Sequence, residues 1–299
     1  MDLGSSIFLL PDGRLRAGWR LILFCLLFLF ATVIAGGLAL PIFPATSLAF
    51  NAVILTTATL TATWLMMRFV EKRPLQEVGL AVGGGAWSEA GWGFAGGIFL
   101  AGSVTGIEWA AGLIFFEVSG TSTSEAMVAV VPITGVLLVS AMTEEILFRG
   151  YPFQRLIEGV GGLPAIAVAS LAFGALHASN PHSTTLGILN TVLAGILLSL
   201  AYMMTRALWL PIGIHFGWNW SLVLLGLPVS GLDVMEMPWM AVPISAYPWL
   251  HGGDYGPEGG LIATFVLSSG IIYLARQLPR AASSKANLPA PAAGESDPI

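Results

Sequence analysis

Three small sets of polar residues lie in stretches that are otherwise almost free of charge. Thr143-Glu144-Glu145-Ile-Leu-Phe-Arg149-Gly150 closes one apolar run, Phe173 and His177 stand four apart in a second, and His215 and Asn219 stand four apart in a third. An ionisable side chain inside a bilayer is costly, so each set is read first as a functional site. On a helix Glu145 and Arg149 share one face, with the acid N-terminal to the base, the better order for pairing. Glu144 points about 100° away and has no basic neighbour at helical spacing. One glutamate is therefore tied down and the other is free to act as a base. Each motif alone also has a plain structural reading, as an interfacial charge cluster or a packed histidine. Two histidines on separate helices beside an unpaired glutamate make that reading weaker. His182 and His251 are expected in solvated outer loops. Glu108, in a further apolar run, has no obvious partner and is read as structural or substrate-facing.

These residues need helices to position them, and the composition says where the helices lie. The chain has 299 residues, 56% hydrophobic and only 10% charged, with a mean hydropathy of +0.82. A water-exposed surface is about 25% charged, so this is a membrane protein rather than a soluble domain. No basic cluster suits nucleic acid, and the single cysteine, Cys25, excludes disulfides within the chain and Cys-based metal sites. A span takes about 20 apolar residues. That spacing predicts eight, near 19–40, 48–68, 91–113, 127–149, 163–178, 186–205, 208–226 and 260–277. With the N-terminus in the cytoplasm, all twelve Lys and Arg residues fall on the inner side, as the positive-inside rule requires. The expected fold is therefore all-α and polytopic, with about eight transmembrane helices and both termini cytoplasmic. Trp64, Trp87, Trp92, Trp209, Trp239 and Trp249 suit interfacial anchoring. The organisation reads as helices 1–3 over 1–125, a core over 126–226 that carries the three polar sets, an outer loop and last helix over 227–280, and a disordered tail over 281–299.

The ordered set Glu144-Glu145-x-x-x-Arg149, Phe173-x-x-x-His177 and His215-x-x-x-Asn219 resembles the three motifs of the CPBP family. That family comprises CAAX prenyl proteases of the Ras-converting type and bacterial relatives of the Abi or lysostaphin-resistance group. The resemblance covers about 126–226, and no motif position departs from the pattern. It implies an intramembrane endopeptidase in which Glu144 activates water with help from His177, and His215 and Asn219 stabilise the oxyanion. Glu145, Arg149 and Phe173 are supporting residues. The implied partners are the lipid bilayer and a membrane-associated peptide or protein substrate, a prenylated one being the eukaryotic precedent. The implied location is the cell membrane.

Two questions stay open at the level of sequence. Glu144, His177 and His215 have the composition of a two-histidine carboxylate zinc site, but the zinc helix motif H-E-x-x-H is absent, and a metal-free glutamic mechanism is preferred. The second concerns depth. At about 1.5 Å per residue, Glu144 lies about 7 Å inward from Arg149, His215 about 13 Å inward from Arg206, and His177 about 20 Å from Pro164. The three meet only if the fifth span starts in a vestibule, tilts strongly or is short. A transporter with a proton relay, or a non-catalytic immunity-type membrane protein, are the rival readings. The first should show a repeat relating two halves, and the second a lost motif residue; neither is found.

Overall fold

The computed structural model describes residues 7–44, 47–244 and 246–286. A helix coincides with each of the eight expected spans. These are α1 (Ala17–Ala39), α2 (Leu48–Leu65), α3 (Ala86–Ala110), α4 (Thr123–Arg149), α6 (Gly162–His177), α7 (Thr185–Thr205), α8 (Trp209–Leu224) and α9 (Leu261–Ala286), with α5 (Tyr151–Val160) between α4 and α6. Among the described residues, six helical stretches are long and apolar enough to cross a membrane. α6 and α8, each 16 residues long, fall short. Sixteen residues rise about 24 Å, against a hydrocarbon thickness of about 30 Å. These two short helices carry His177 and His215, and α8 is largely buried by its neighbours rather than matched to the bilayer. The chain is a multi-pass membrane protein.

The helix ends follow local chemistry. Ser47 caps α2 by accepting a hydrogen bond from the Phe50 N–H, Thr184 caps α7 through Gly187, and Ser122 with Glu125 forms a reciprocal capping box on α4. Such caps satisfy donors that the first turn leaves unpaired. α2 continues as a π-helical turn over Met66–Glu71. α9 runs through Ala286, six residues into the segment read as tail, because Ala281, Ala282 and Ala286 are strong helix formers. Residues 287–299 lie outside the described residues.

Packing centres on α3 against α8. Gly93 and Gly97 on α3 face Gly213 and Gly217 on α8 so closely that a Cβ at any of the four would collide with backbone of the partner helix. Small residues four apart let two helix backbones touch, and this contact is van der Waals packing that lipid cannot replace. Phe94 stacks on Phe216 at 5.3 Å beside the same seam. α8 is thereby held rigidly from behind, with His215 between its two contact glycines.

Two further clusters fix which loops lie together. A short strand β1 (Ile114–Val118) pairs antiparallel with β2 (Trp239–Pro243), so the loops after α3 and α8 lie on one side. At the other side Arg20 pairs with Glu71 at 3.0 Å and with Glu158, while Arg155 reaches Glu71 at 3.0 Å and Glu158 at 3.2 Å. The Tyr151 hydroxyl also donates to Glu71, at 2.8 Å. This cluster binds the start of α1, the end of the π turn and α5.

Candidate active site

After Arg149 the chain turns from α4 directly into α5. Gly150 breaks the helix, in a geometry where a Cβ would collide with the Ile146 carbonyl, and α5 then runs along α1. Tyr151 at its start stacks on Phe24 of α1 at 5.5 Å. Glu158 near its end pairs with Arg20, and Gly159 lies beside Ala17. α5 thus descends along α1 from the level of Phe24 to that of Ala17, about 10 Å. Glu144, seven residues before Tyr151, sits about 21 Å above the start of α1. α6 begins where α5 ends, and His177 lies fifteen residues up it, about 22 Å. The levels agree to within one helical turn. Arg149, the reference point of the sequence count, is itself completely enclosed by protein.

His177 and His215 converge on one oxygen. Glu144 Oε2 lies 4.0 Å from His177 Nε2 and 3.8 Å from His215 Nε2. The other nitrogen of each ring is committed. Phe173 O accepts from His177 Nδ1 at 2.8 Å, and Glu145 Oε1 accepts from His215 Nδ1 at 2.9 Å. A carbonyl and a carboxylate can only accept, so both Nδ1 atoms carry protons and both Nε2 atoms face Glu144. Spacings of 3.8 and 4.0 Å exceed a direct hydrogen bond and suit a water bridging the groups. Glu144 is 26% exposed, while Glu145 and Arg149 are 0% exposed.

The supporting residues form the floor. Arg149 donates to Glu145 Oε1 at 3.0 Å, to the Gly195 carbonyl at 3.0 Å and to Ser199 Oγ at 3.5 Å. Its guanidinium lies 4.6 Å over the Phe173 ring, and Phe173 meets His215 edge-on at 6.1 Å. Phe173 thus separates Arg149 from the two histidines while holding His177 through its own carbonyl. Glu145 is shared between Arg149 and His215, so the pair expected from helical spacing is one part of a triad. Thr143 Oγ1 bonds Thr56 Oγ1 at 2.7 Å and ties this end of α4 to α2.

Glu144, His177, His215 and Asn219 line one cavity of about 480 Å³. It is mostly apolar, and it extends from these residues to Trp218, Ser230 and Glu258. Sequence reasoning missed Glu258, which enters from the long loop between α8 and α9 with no spacing to flag it. It also missed the Gly93/Gly97 and Gly213/Gly217 pairs, although each is a legible G-x-x-x-G. His251 is buried rather than solvated. It bonds the Ala246 carbonyl at 3.2 Å and accepts from the Gly253 N–H at 3.2 Å, inside a tight loop turn. His182 is exposed as expected. Glu108 is fully buried with neither carboxylate oxygen hydrogen-bonded. It borders a separate cavity of about 220 Å³ and not the one holding Glu144. Five of the six expected anchoring tryptophans are exposed; Trp209 is half-buried and donates to the Ala81 carbonyl at 2.9 Å.

Residues 126–221, from α4 into α8, match the family model of type II CAAX prenyl endopeptidases, Rce1-like. The resemblance read from the three motifs is confirmed over this stretch. No curated protein and no solved structure matches the chain. The Rce1-like match covers about a third of the chain and contains Glu144, Glu145, Arg149, Phe173, His177, His215 and Asn219.

The zinc question can be put to this geometry. A tetrahedral shell with bonds of about 2.0–2.1 Å places neighbouring ligand atoms about 3.3 Å apart. The 3.8 and 4.0 Å separations around Glu144 Oε2 are wider, and among the described residues no group of three His, Cys, Asp or Glu is close enough to hold a metal ion. As placed, the residues fit a water better than zinc.

Proposed function

We propose that this protein is an intramembrane endopeptidase of the CAAX type that hydrolyses a peptide bond by a glutamate-activated water. The observation that carries the proposal is the approach of both Nε2 atoms to Glu144 Oε2, with both Nδ1 atoms held by acceptors. A water bridging Glu144 and His177 is the nucleophile. Glu144 takes its proton as the oxygen attacks the carbonyl carbon, a general-base step. The carbonyl oxygen becomes an oxyanion on the side of His215 and Asn219. With a second proton on Nε2, His215 donates to that oxygen while Glu145 at Nδ1 balances its charge, and the Asn219 carboxamide supplies another donor. Glu144 then passes its proton to the leaving nitrogen and the C–N bond breaks. Atoms and charge balance, with water consumed and two chain ends produced.

Arg149 and Glu145 act as positioning residues, by fixing the His215 tautomer and ring plane as the aspartate does in a serine-protease triad. The family match supports the reaction class, and the apolar cavity supports a substrate drawn from the membrane, a prenylated chain end among them. The test is cleavage of membrane-protein peptides by the purified protein in detergent or nanodiscs. Glu144→Gln is used to trap uncleaved substrate for mass spectrometry. Cleavage by wild type and its loss in Glu144→Gln are expected; wild-type turnover in that variant overturns the assignment.

A further inference from the structure

Several polar groups along the cavity are already committed. The Asn190 carboxamide donates to the Glu258 and Gly260 carbonyls, both at 2.8 Å, and Asn180 donates to the Ser230 carbonyl at 3.0 Å. Two others are not. The Asn51 carboxamide on α2 and the Ser140 hydroxyl on α4 line the same cavity and make no hydrogen bond among the described residues. Serines elsewhere on the helices, such as Ser199 and Ser221, close back on the carbonyl four residues before them, both at 2.7 Å; Ser140 does not. Asn51 is the only carboxamide on α2, and neither residue belongs to the three motifs. An unpaired polar side chain at membrane depth is costly and is tolerated where it meets something polar in a cavity.

Their heights can be counted from a fixed contact. Thr56 on α2 bonds Thr143 on α4 at 2.7 Å, so these two are level. Further along both chains Glu71 accepts from Tyr151 at 2.8 Å, so α2 and α4 run in the same direction. Asn51 then lies about 7.5 Å and Ser140 about 4.5 Å back from that level, while Glu144 lies about 1.5 Å beyond it. Along the helix axes Ser140 is about 6 Å and Asn51 about 9 Å from Glu144. An extended chain advances about 3.4 Å per residue, so these spacings match about two and about three residues of peptide.

We infer that Asn51 and Ser140 bind the substrate backbone two to three residues from the bond that is cut, and so set the register in which the scissile carbonyl meets Glu144. The inference rests on the endopeptidase reading and adds two substrate-binding residues to it. An extended chain shielded from water needs partners for its N–H and C=O groups. A carboxamide offers a donor and an acceptor to one peptide unit, and a hydroxyl does the same on a shorter arm. The substrate's side chains are left to the apolar walls, so these contacts fix position rather than sequence.

The test uses full-length wild type, Asn51→Leu and Ser140→Ala in detergent. The probe is a fluorescent peptide ending in a farnesylated cysteine and three apolar residues, with versions in which one amide near the cut is replaced by an ester. An ester removes the N–H donor and weakens the carbonyl acceptor. In wild type, an ester two or three residues from the cut should lower kcat/KM by about fivefold to tenfold, the weight of one hydrogen bond. Asn51→Leu should lose a similar factor on the all-amide peptide with its melting unchanged, and the same ester should then cost it less than about twofold, because the partner is already gone. Ser140→Ala should show this coupling nearer the cut. Coupling of one residue alone removes the other from the inference. Esters that cost wild type and both variants equally overturn it, as does a wild type that binds no peptide by anisotropy. If the peptides bind uncleaved and the coupling appears in Kd, the binding residues stand and the hydrolase reading falls. Should Asn51→Leu fail to fold, Asn51→Ala carries the same comparison.

Discussion

Replacing Glu145 with glutamine should separate a residue that holds the site from one that performs the reaction. Glu145 and Arg149 are both completely buried. Removing the carboxylate charge leaves the guanidinium with only neutral partners, the Gly195 carbonyl, the Ser199 hydroxyl and the face of Phe173. Stranding one member of a buried pair costs about 3–5 kcal/mol, and the surviving neutral partners point to the lower end, about 3 kcal/mol. At about 2–4 °C per kcal/mol for a large domain, the melting temperature should fall by roughly 6–12 °C. Activity should fall as well, by up to about 10⁴-fold, because His215 Nδ1 loses the carboxylate that sets its tautomer. Glu144→Gln should behave oppositely. Glu144 Oε2 has no hydrogen bond, so stability should stay within about 0.5 kcal/mol while cleavage is lost. The double variant Glu145→Gln/Arg149→Met removes both charges and should regain most of the lost stability without regaining activity. The assay is tryptophan-fluorescence melting in one detergent, paired with peptide cleavage on the same samples. A Glu145→Gln protein melting within 2 °C of wild type, or a Glu144→Gln protein falling as far as Glu145→Gln, would refute the reasoning.

Gly97→Leu and Gly213→Leu should each lower stability by about 1–3 kcal/mol or more and reduce cleavage, since the α3–α8 seam has no room for a Cβ and overpacking is costly. Gly102→Leu, which meets nothing within 4 Å, is the neutral control in the same melt. Reporter fusions after residue 120 or within 230–238 should lie outside and fusions after residue 75 inside; a cytoplasmic signal from 230–238 would reject the eight-span arrangement. Active protein should carry far less than one zinc per chain and survive 1,10-phenanthroline followed by dialysis. Stoichiometric zinc, with activity lost on stripping and restored by zinc, would make Glu144, His177 and His215 ligands and Glu145 the better candidate base.

The apolar runs and their polar interruptions are local properties, which is why helix positions and the three motifs were readable from the residues alone. Helical spacing sufficed to pair Glu145 with Arg149, and it set Glu144 on a different face with no basic neighbour. Even the glycine seam was present as two G-x-x-x-G patterns, but glycine is common in membrane helices and a pattern does not name its partner. Depth was not local. Arg149 read as an edge residue because a charged side chain normally marks the interface, and only its contacts with Phe173 on α6 and with Gly195 and Ser199 on α7 show that it is enclosed by protein. The descent of α5 along α1 brings His177, on a helix too short to cross the bilayer, level with Glu144. Glu258 belongs to a loop that no periodicity organises, so its arrival beside Trp218 and Ser230 depends on how α8, that loop and α9 pack together. Sequence spacing along one helix fixes directions on that helix; the heights at which separate helices stop and turn are set by contacts between them.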